Sequence, residues 1–294
     1  SNSLMRSGTF LDVKKPRVLI SGHLPPPMSG IGTYYQTLLG SSLSKYVNLQ
    51  FIDTSSRRRS GSETGSWSFL NLVSAIGDCV RFTKAVIVHR PEICHIATTY
   101  GLSFLKHSVC ISIARLLGSE ILLHPHCSFH FLYERWGRAW QWFIRKIIGM
   151  CQGIAVLSNE WQKLQEVVPG CPIYYLPNAI DLLGYVDVGR EKLGSKYEKT
   201  CLHVLYLGHL GKEKGSFDLI SAAKIVLRQE HGVVFDLVGQ EQVVGDMKQL
   251  KAQVVEAGLE KYVHIQQAVI GAEKIDLFRS ADIFVYPSYH EGMP

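Results

Sequence analysis

The sequence predicts an α/β protein made of two parallel-sheet domains, on three observations. From Arg17 to His126, short β-rich apolar runs alternate with helix-like runs, the rhythm of a parallel sheet. The rhythm resumes at His203, where a strand ending at Gly208 gives way to a lysine-bearing loop and a helix. Between the two, the chain from Leu182 to Thr200 turns polar and charged and carries Gly184, Gly189 and Gly194, as interdomain linkers do. The expected boundaries are 1–182 for the first domain, 183–200 for the linker and 201–294 for the second domain.

Taken in order, the first strand is Arg17 to Gly22, leading through a Pro-rich loop to Ser29-Gly30-Ile31-Gly32 and a helix. Strand, glycine loop and helix start put the Gly30 and Gly32 amides where they can face an anion. A tight turn that needs glycine only for packing is the competing reading. The dinucleotide fingerprint is excluded, because the third glycine is missing and no acidic residue takes the ribose role. Val47 to Thr54 reads as the second strand. The Gly/Ser-rich stretch 55–66 with Arg57, Arg58 and Arg59 reads as a solvated loop, although three arginines could also meet phosphate or lipid headgroups.

A helix over Phe69 to Val88, a strand over Ile93 to Thr98, a helix from Leu102 to Leu117 and a strand over Glu120 to His126 follow. His124 and His126 point the same way on an extended segment, and Cys127 and His130 lie close by. A zinc site is disfavoured, since Pro125 and the missing distal ligands give no standard spacing. A strand-end histidine satisfied by the backbone stays open as a structural explanation. Tyr133 to Met150 places Trp136, Trp140, Phe143 and Ile147 on one stripe with basic residues elsewhere. Packing on the sheet is favoured over a membrane-interface helix, the basic side chains reaching out to solvent.

After the strand Gly153 to Ser158, a short helix and the segment Leu176-Pro177-Asn178, the second domain opens with Gly208-His209-Leu210-Gly211-Lys212-Glu213-Lys214-Gly215 before a helix from Ser216. This is a second phosphate cradle, helix-start amides plus a compact ammonium. The chain closes on a helix, Ser280-Ala281-Asp282, an apolar run read as a buried parallel strand, Pro287-Ser288 and Glu291-Gly292.

These motifs together resemble glycosyltransferase family 4, retaining enzymes of the GT-B fold, over nearly the whole of Arg17 to Pro294. The resemblance implies two Rossmann-like domains facing a cleft, the second incomplete at its C-terminus, because the family's second Glu of a Glu-(seven residues)-Glu motif would lie past Pro294. It implies a nucleoside-diphosphate-sugar donor and a glycan or lipid-linked acceptor, in glycan or cell-surface polysaccharide biosynthesis. By position, His126 matches a histidine facing the transferred sugar, with His124 as runner-up, and Glu291 matches the Glu that positions sugar hydroxyls. Gly30, Gly32, His209, Lys214, Gly292 and Met293 match donor diphosphate and sugar contacts, and Val269 lies near the base. Two departures stand out: Ser29 replaces a glycine, and His209 replaces an arginine, exchanging a fixed charge for a titratable one. A nucleotide-sugar epimerase of the same architecture and a non-catalytic nucleotide-sugar binder are the alternatives.

Composition bounds the rest. With 46% hydrophobic and 19% charged residues the chain is ordinary globular material. Scattered cysteines without a Cys-x-x-Cys pair and the lack of a leader-like start point to reduced thiols and the cytoplasm, with the inner membrane face as an added site. The net charge of +6 suits phosphate-bearing substrates or an anionic membrane surface. No nucleic acid, cofactor or metal is expected; an Asp-x-Asp motif is missing.

Overall fold

The computed structural model describes residues 14–25, 30–54, 69–99, 101–126, 133, 136–158, 164–180, 182–194, 201–289 and 291. The chain divides into two compact units that meet in sequence between Ala179 and Ile180. Both are all-parallel α/β sheets, the fold class expected.

In the first unit, β1 (Arg17–Gly22), β2 (Asn48–Asp53), β3 (Ile93–Thr98), β4 (Glu120–Pro125), β5 (Gly153–Val156) and β6 (Ile173–Tyr175) form a sheet of order β2-β1-β3-β4-β5-β6. The helices between them are α1 (Gly30–Gly40), α2 (Phe69–His89), α3 (Leu102–Leu116), α4 (Arg138–Ile148) and the short α5 (Leu164–Val167). Alternate residues of β1 point to opposite faces, so Leu19 enters one buried cluster with Phe82, Phe104 and Ile144 while Ile20 enters another with Tyr34 and Tyr35. Both faces are covered, which is why the central strands are mainly apolar, with Ser21, His95, Thr98 and His124 as buried polar exceptions. The stripe on α4 does pack inward through Phe143, Ile144, Ile147 and Ile148, but Trp140 sits 42% exposed at its edge.

The second unit holds β7 (Leu202–Leu207), β8 (Val233–Val238), β9 (Val263–Gln266) and β10 (Ile283–Phe284), in the order β10-β7-β8-β9. Its helices are α6 (Leu183–Gly194), α7 (Ser216–Val226), α8 (Asp246–Ala257) and α9 (Ala272–Ser280). Val204 and Tyr206 face one cluster and Leu205 the other.

Two expectations need correction. The stretch 183–194, read as linker from its glycines and charges, is helix α6. Val188 is buried, and Tyr185 meets Phe278 of α9 edge-on at 5.7 Å. A tertiary partner overrode the weak helix propensity of its glycines. The last strand is parallel to β7 as expected but lies at the sheet edge. Ile283 and Phe284 are 46% and 51% exposed rather than buried.

Candidate functional site

In doubly wound sheets, ligands bind outside the carboxyl ends of strands where the strand order reverses. In the second unit that point lies between β7 and β10, since the chain moves outward from β7 to β8 and β9 and then returns to pair β10 on the other side of β7. The loops leaving these two strands, 208–215 and 285–291, therefore share one end of one sheet.

The first loop is built on glycine. Gly215 has φ +70°, and a Cβ there would sit 2.2 Å from the carbonyl oxygen of Pro287, so the two loops touch backbone to side-chain position. The buried Ser216 hydroxyl closes the turn: it accepts from the Gly211 amide at 2.9 Å and donates to the Gly211 carbonyl at 3.1 Å. The amides of Lys214 and Gly215 bond to the carbonyls of Gly211 and Lys212. Several of the amides expected to cradle phosphate are thus spent inside the loop, and what the loop presents is chiefly the Lys214 ammonium. That ammonium meets Glu291 Oε1 at 2.6 Å, with both side chains about one-fifth exposed (19% and 23%). The Ser288 hydroxyl donates to the same oxygen at 2.6 Å. Burial pushes the Glu291 carboxyl up, but the Lys214 and Ser288 bonds, the Lys214 charge and a Tyr286 bond outweigh it and hold the group below the usual carboxylate range. Tyr206 stacks obliquely on Tyr286 at 5.5 Å and donates to the carbonyls of His209 and Lys214. A lysine and a glutamate 77 positions apart in sequence are so joined into one ionised pair.

His209 and Lys212 on the same loop are exposed. Val269 packs with Leu205, Val238 and Ala281 on the other face of the sheet. Gly292 and Met293 lie outside the described residues, as do His130 and Cys127. Sequence reasoning found Lys214 and Glu291 but missed Tyr286, Ser288 and Tyr206 as the groups that hold them. The only advance signal was the Tyr-Pro-Ser run before Glu291.

The first unit has its own switch point, between β1 and β3. Gly30 and Gly32 open α1 after β1. A Cβ on Gly30 would meet nothing within 4 Å and its φ is not positive, so close packing does not account for this glycine. At the ends of β3 and β4 lies a cluster of rings. His95 Nε2 and His124 Nδ1 share a hydrogen bond of 3.1 Å, and His126 lies 4.0 Å from His124 by ring centroid and 5.4 Å from Tyr34. Burial lowers every one of these imidazoles, His95 to about 4 and His126 to about 3, so they are neutral at physiological pH. His124 is fully buried and bonded to His95 through Nδ1, His126 is half-buried as a residue, and the Nε2 atoms of both are buried and lack a partner among the described residues. His126 is the less buried of the two residues. No set of three His, Cys, Asp or Glu residues among the described ones is arranged to hold a metal.

Residues 190–294 match the family model described as glycosyl transferases group 1. Solved structures align with almost the entire chain. The complex of Anabaena Alr3699/HepE with UDP and glucose superposes with a TM-score of 0.59 at 16% identity, covering 93% of this chain and 74% of that one. Sucrose-phosphate synthase from Thermosynechococcus elongatus gives 0.64 at 16% identity, covering 96% and 77%. The fold is that of the GT-B glycosyltransferases. Among curated proteins, one described as a teichuronic acid biosynthesis glycosyltransferase, TuaC of Bacillus subtilis, is 26% identical over 189 residues. That alignment takes in 62% of this chain, and the chain spans 42% of the relative's length.

Proposed function

We propose that this chain carries the donor-handling parts of a retaining glycosyltransferase, moving a sugar from a nucleoside diphosphate to a glycan or lipid-linked acceptor. The observation that carries the reading is the Lys214–Glu291 pair at the β7/β10 switch point, inside the segment that matches glycosyl transferases group 1. Cleaving the bond from the anomeric carbon to a phosphate oxygen gathers negative charge on the departing diphosphate, and a preorganised cation at that end lowers the barrier. Lys214 is such a cation, held in place by Glu291 and partly shielded from water. We assign the neutralising charge to it rather than to a metal ion.

Glu291 stays ionised and so acts as an acceptor, the chemistry needed to orient sugar hydroxyls. Its charge beside a diphosphate is tolerable because Lys214 lies on it. His126 is neutral, and its buried Nε2, unsatisfied by any described residue, is assigned one hydrogen bond to a sugar hydroxyl, which brings no second charge. The related complexes with UDP, and with UDP and glucose, support a uridine donor as the first candidate, and the likeness to TuaC supports a cell-surface polysaccharide as product.

A thermal-shift panel of UDP-, GDP- and ADP-sugars tests the reading, because a ligand of the folded state raises its melting point by mass action. One nucleotide class should raise the melting temperature with a saturable dose dependence. Indifference to all three at millimolar concentration would contradict the proposal.

A further inference from the structure

Six cysteines among the described residues are free thiols. Burial pushes up Cys94, to about 11, and Cys151 and Cys171 with it, so these three are poor nucleophiles that serve as small apolar core residues. Cys79 differs in place and in partners. It sits half-buried on α2 and lines a groove of about 740 Å³ between α2 and α3. Its sulfur lies 3.9 Å from that of Cys110, a buried residue of α3 whose thiol donates to it. The Lys106 ammonium stands nearby, bonded to Asp78 at 3.0 Å. The Cys110 bond lowers the Cys79 thiol to about 7, with the Lys106 charge assisting and burial and the Asp78 charge opposing. That same bond, together with burial, pushes Cys110 up. One sulfur is therefore substantially ionised near neutral pH and reachable from the groove, and a protonated sulfur lies directly behind it.

We propose that Cys79 and Cys110 form an oxidant-responsive pair, in which Cys79 reacts with a hydroperoxide and Cys110 then closes a disulfide that ties α2 to α3. With hydrogen peroxide, the Cys79 thiolate attacks one peroxide oxygen, the O–O bond breaks and hydroxide leaves, which gives a sulfenic acid. The Cys110 sulfur then attacks the Cys79 sulfur, and the sulfenic hydroxyl departs with the Cys110 proton as water. The two thiols lose two electrons in all and the peroxide gains them. The groove suits this oxidant, since its lining is apolar apart from Cys79, Thr83, Lys84 and Lys106 and admits a small uncharged molecule. Sulfurs kept only for packing would both be inert. The proposal does not depend on the donor site.

The test is peptide mapping of the full chain after reduction, desalting, exposure to hydrogen peroxide and alkylation in urea. The expected product is a Cys79–Cys110 disulfide within one chain, reversed by dithiothreitol and formed at least about tenfold faster than any oxidation of Cys94 or Cys151. Oxidised wild type should melt at a higher temperature than the reduced protein, because the cross-link restricts the unfolded chain. In Cys110→Ala, Cys79 should stop at a sulfenic acid that dimedone captures, and in Cys79→Ala, Cys110 should remain alkylatable. The mapping of wild type decides the matter even where a variant folds poorly. Both thiols still alkylatable after peroxide, a disulfide joining two chains, or equal oxidation of Cys94 would overturn the proposal.

Discussion

Single residues carry the sharpest consequences. His95 is fully buried and its imidazole is lowered from 6.5 to about 4 by desolvation. Between those pH values the unfolded chain binds a proton that the folded chain refuses, so stability is complete above pH 6.5 and drains away as pH falls towards 4. At about 1.4 kcal/mol per unit this one group removes about 3 kcal/mol, and His126, lowered to about 3, acts in the same direction. Urea unfolding at pH 7 and pH 5 should show the loss, and His95→Gln should lose less between the two pH values than wild type; an identical loss would refute the assignment. The two loop glycines should behave oppositely. Gly215→Ala forces a Cβ onto the Pro287 carbonyl in a left-handed backbone and should cost upwards of about 2 kcal/mol by thermal or urea unfolding. Gly30→Ala meets nothing, should leave stability within about 0.5 kcal/mol, and should lower nucleotide-sugar affinity if that glycine exists to let a ligand approach. A Gly30→Ala protein with full affinity would show that it does not.

Elements were legible in the sequence where a single period dominated. Strands β1 to β5 stand within a residue or two of their expected bounds, because short β-branched runs between glycines and prolines leave few alternatives, whereas the three-residue β6 was not read as a strand. Helix α6 was not legible. Its three glycines and its charges favour a linker locally, and only the buried Val188 and the ring contact of Tyr185 with Phe278 explain its order. Amide hydrogen exchange should therefore show protection across residues 186–190, lost on Val188→Asp, which buries a charge at a cost of several kcal/mol. Exchange at the rate of open coil in wild type would restore the linker reading. The edge position of β10 was equally hidden, because an apolar run looks the same whether it lies inside a sheet or beside it, and pairing order is a long-range property.

For the molecule as a whole, two parallel sheets, most of their helices and both switch-point loops could be anticipated, and Lys214 and Glu291 could be singled out as candidates. Their mutual pairing could not, since it depends on β10 returning to the side of β7 away from β8. The same return explains why Tyr206, Tyr286 and Ser288 surround the pair: they belong to strands or loops that only the sheet order brings together. The claim that this pair handles a diphosphate is tested most directly by calorimetric titration of a nucleoside diphosphate into wild type, Lys214→Ala and Lys212→Ala. Loss of one charge-assisted bond of about 1.5–3 kcal/mol predicts affinity about 10- to 100-fold weaker for Lys214→Ala, while the exposed Lys212 predicts a change within about twofold. Equal effects of the two substitutions, or full affinity in Lys214→Ala, would contradict the account.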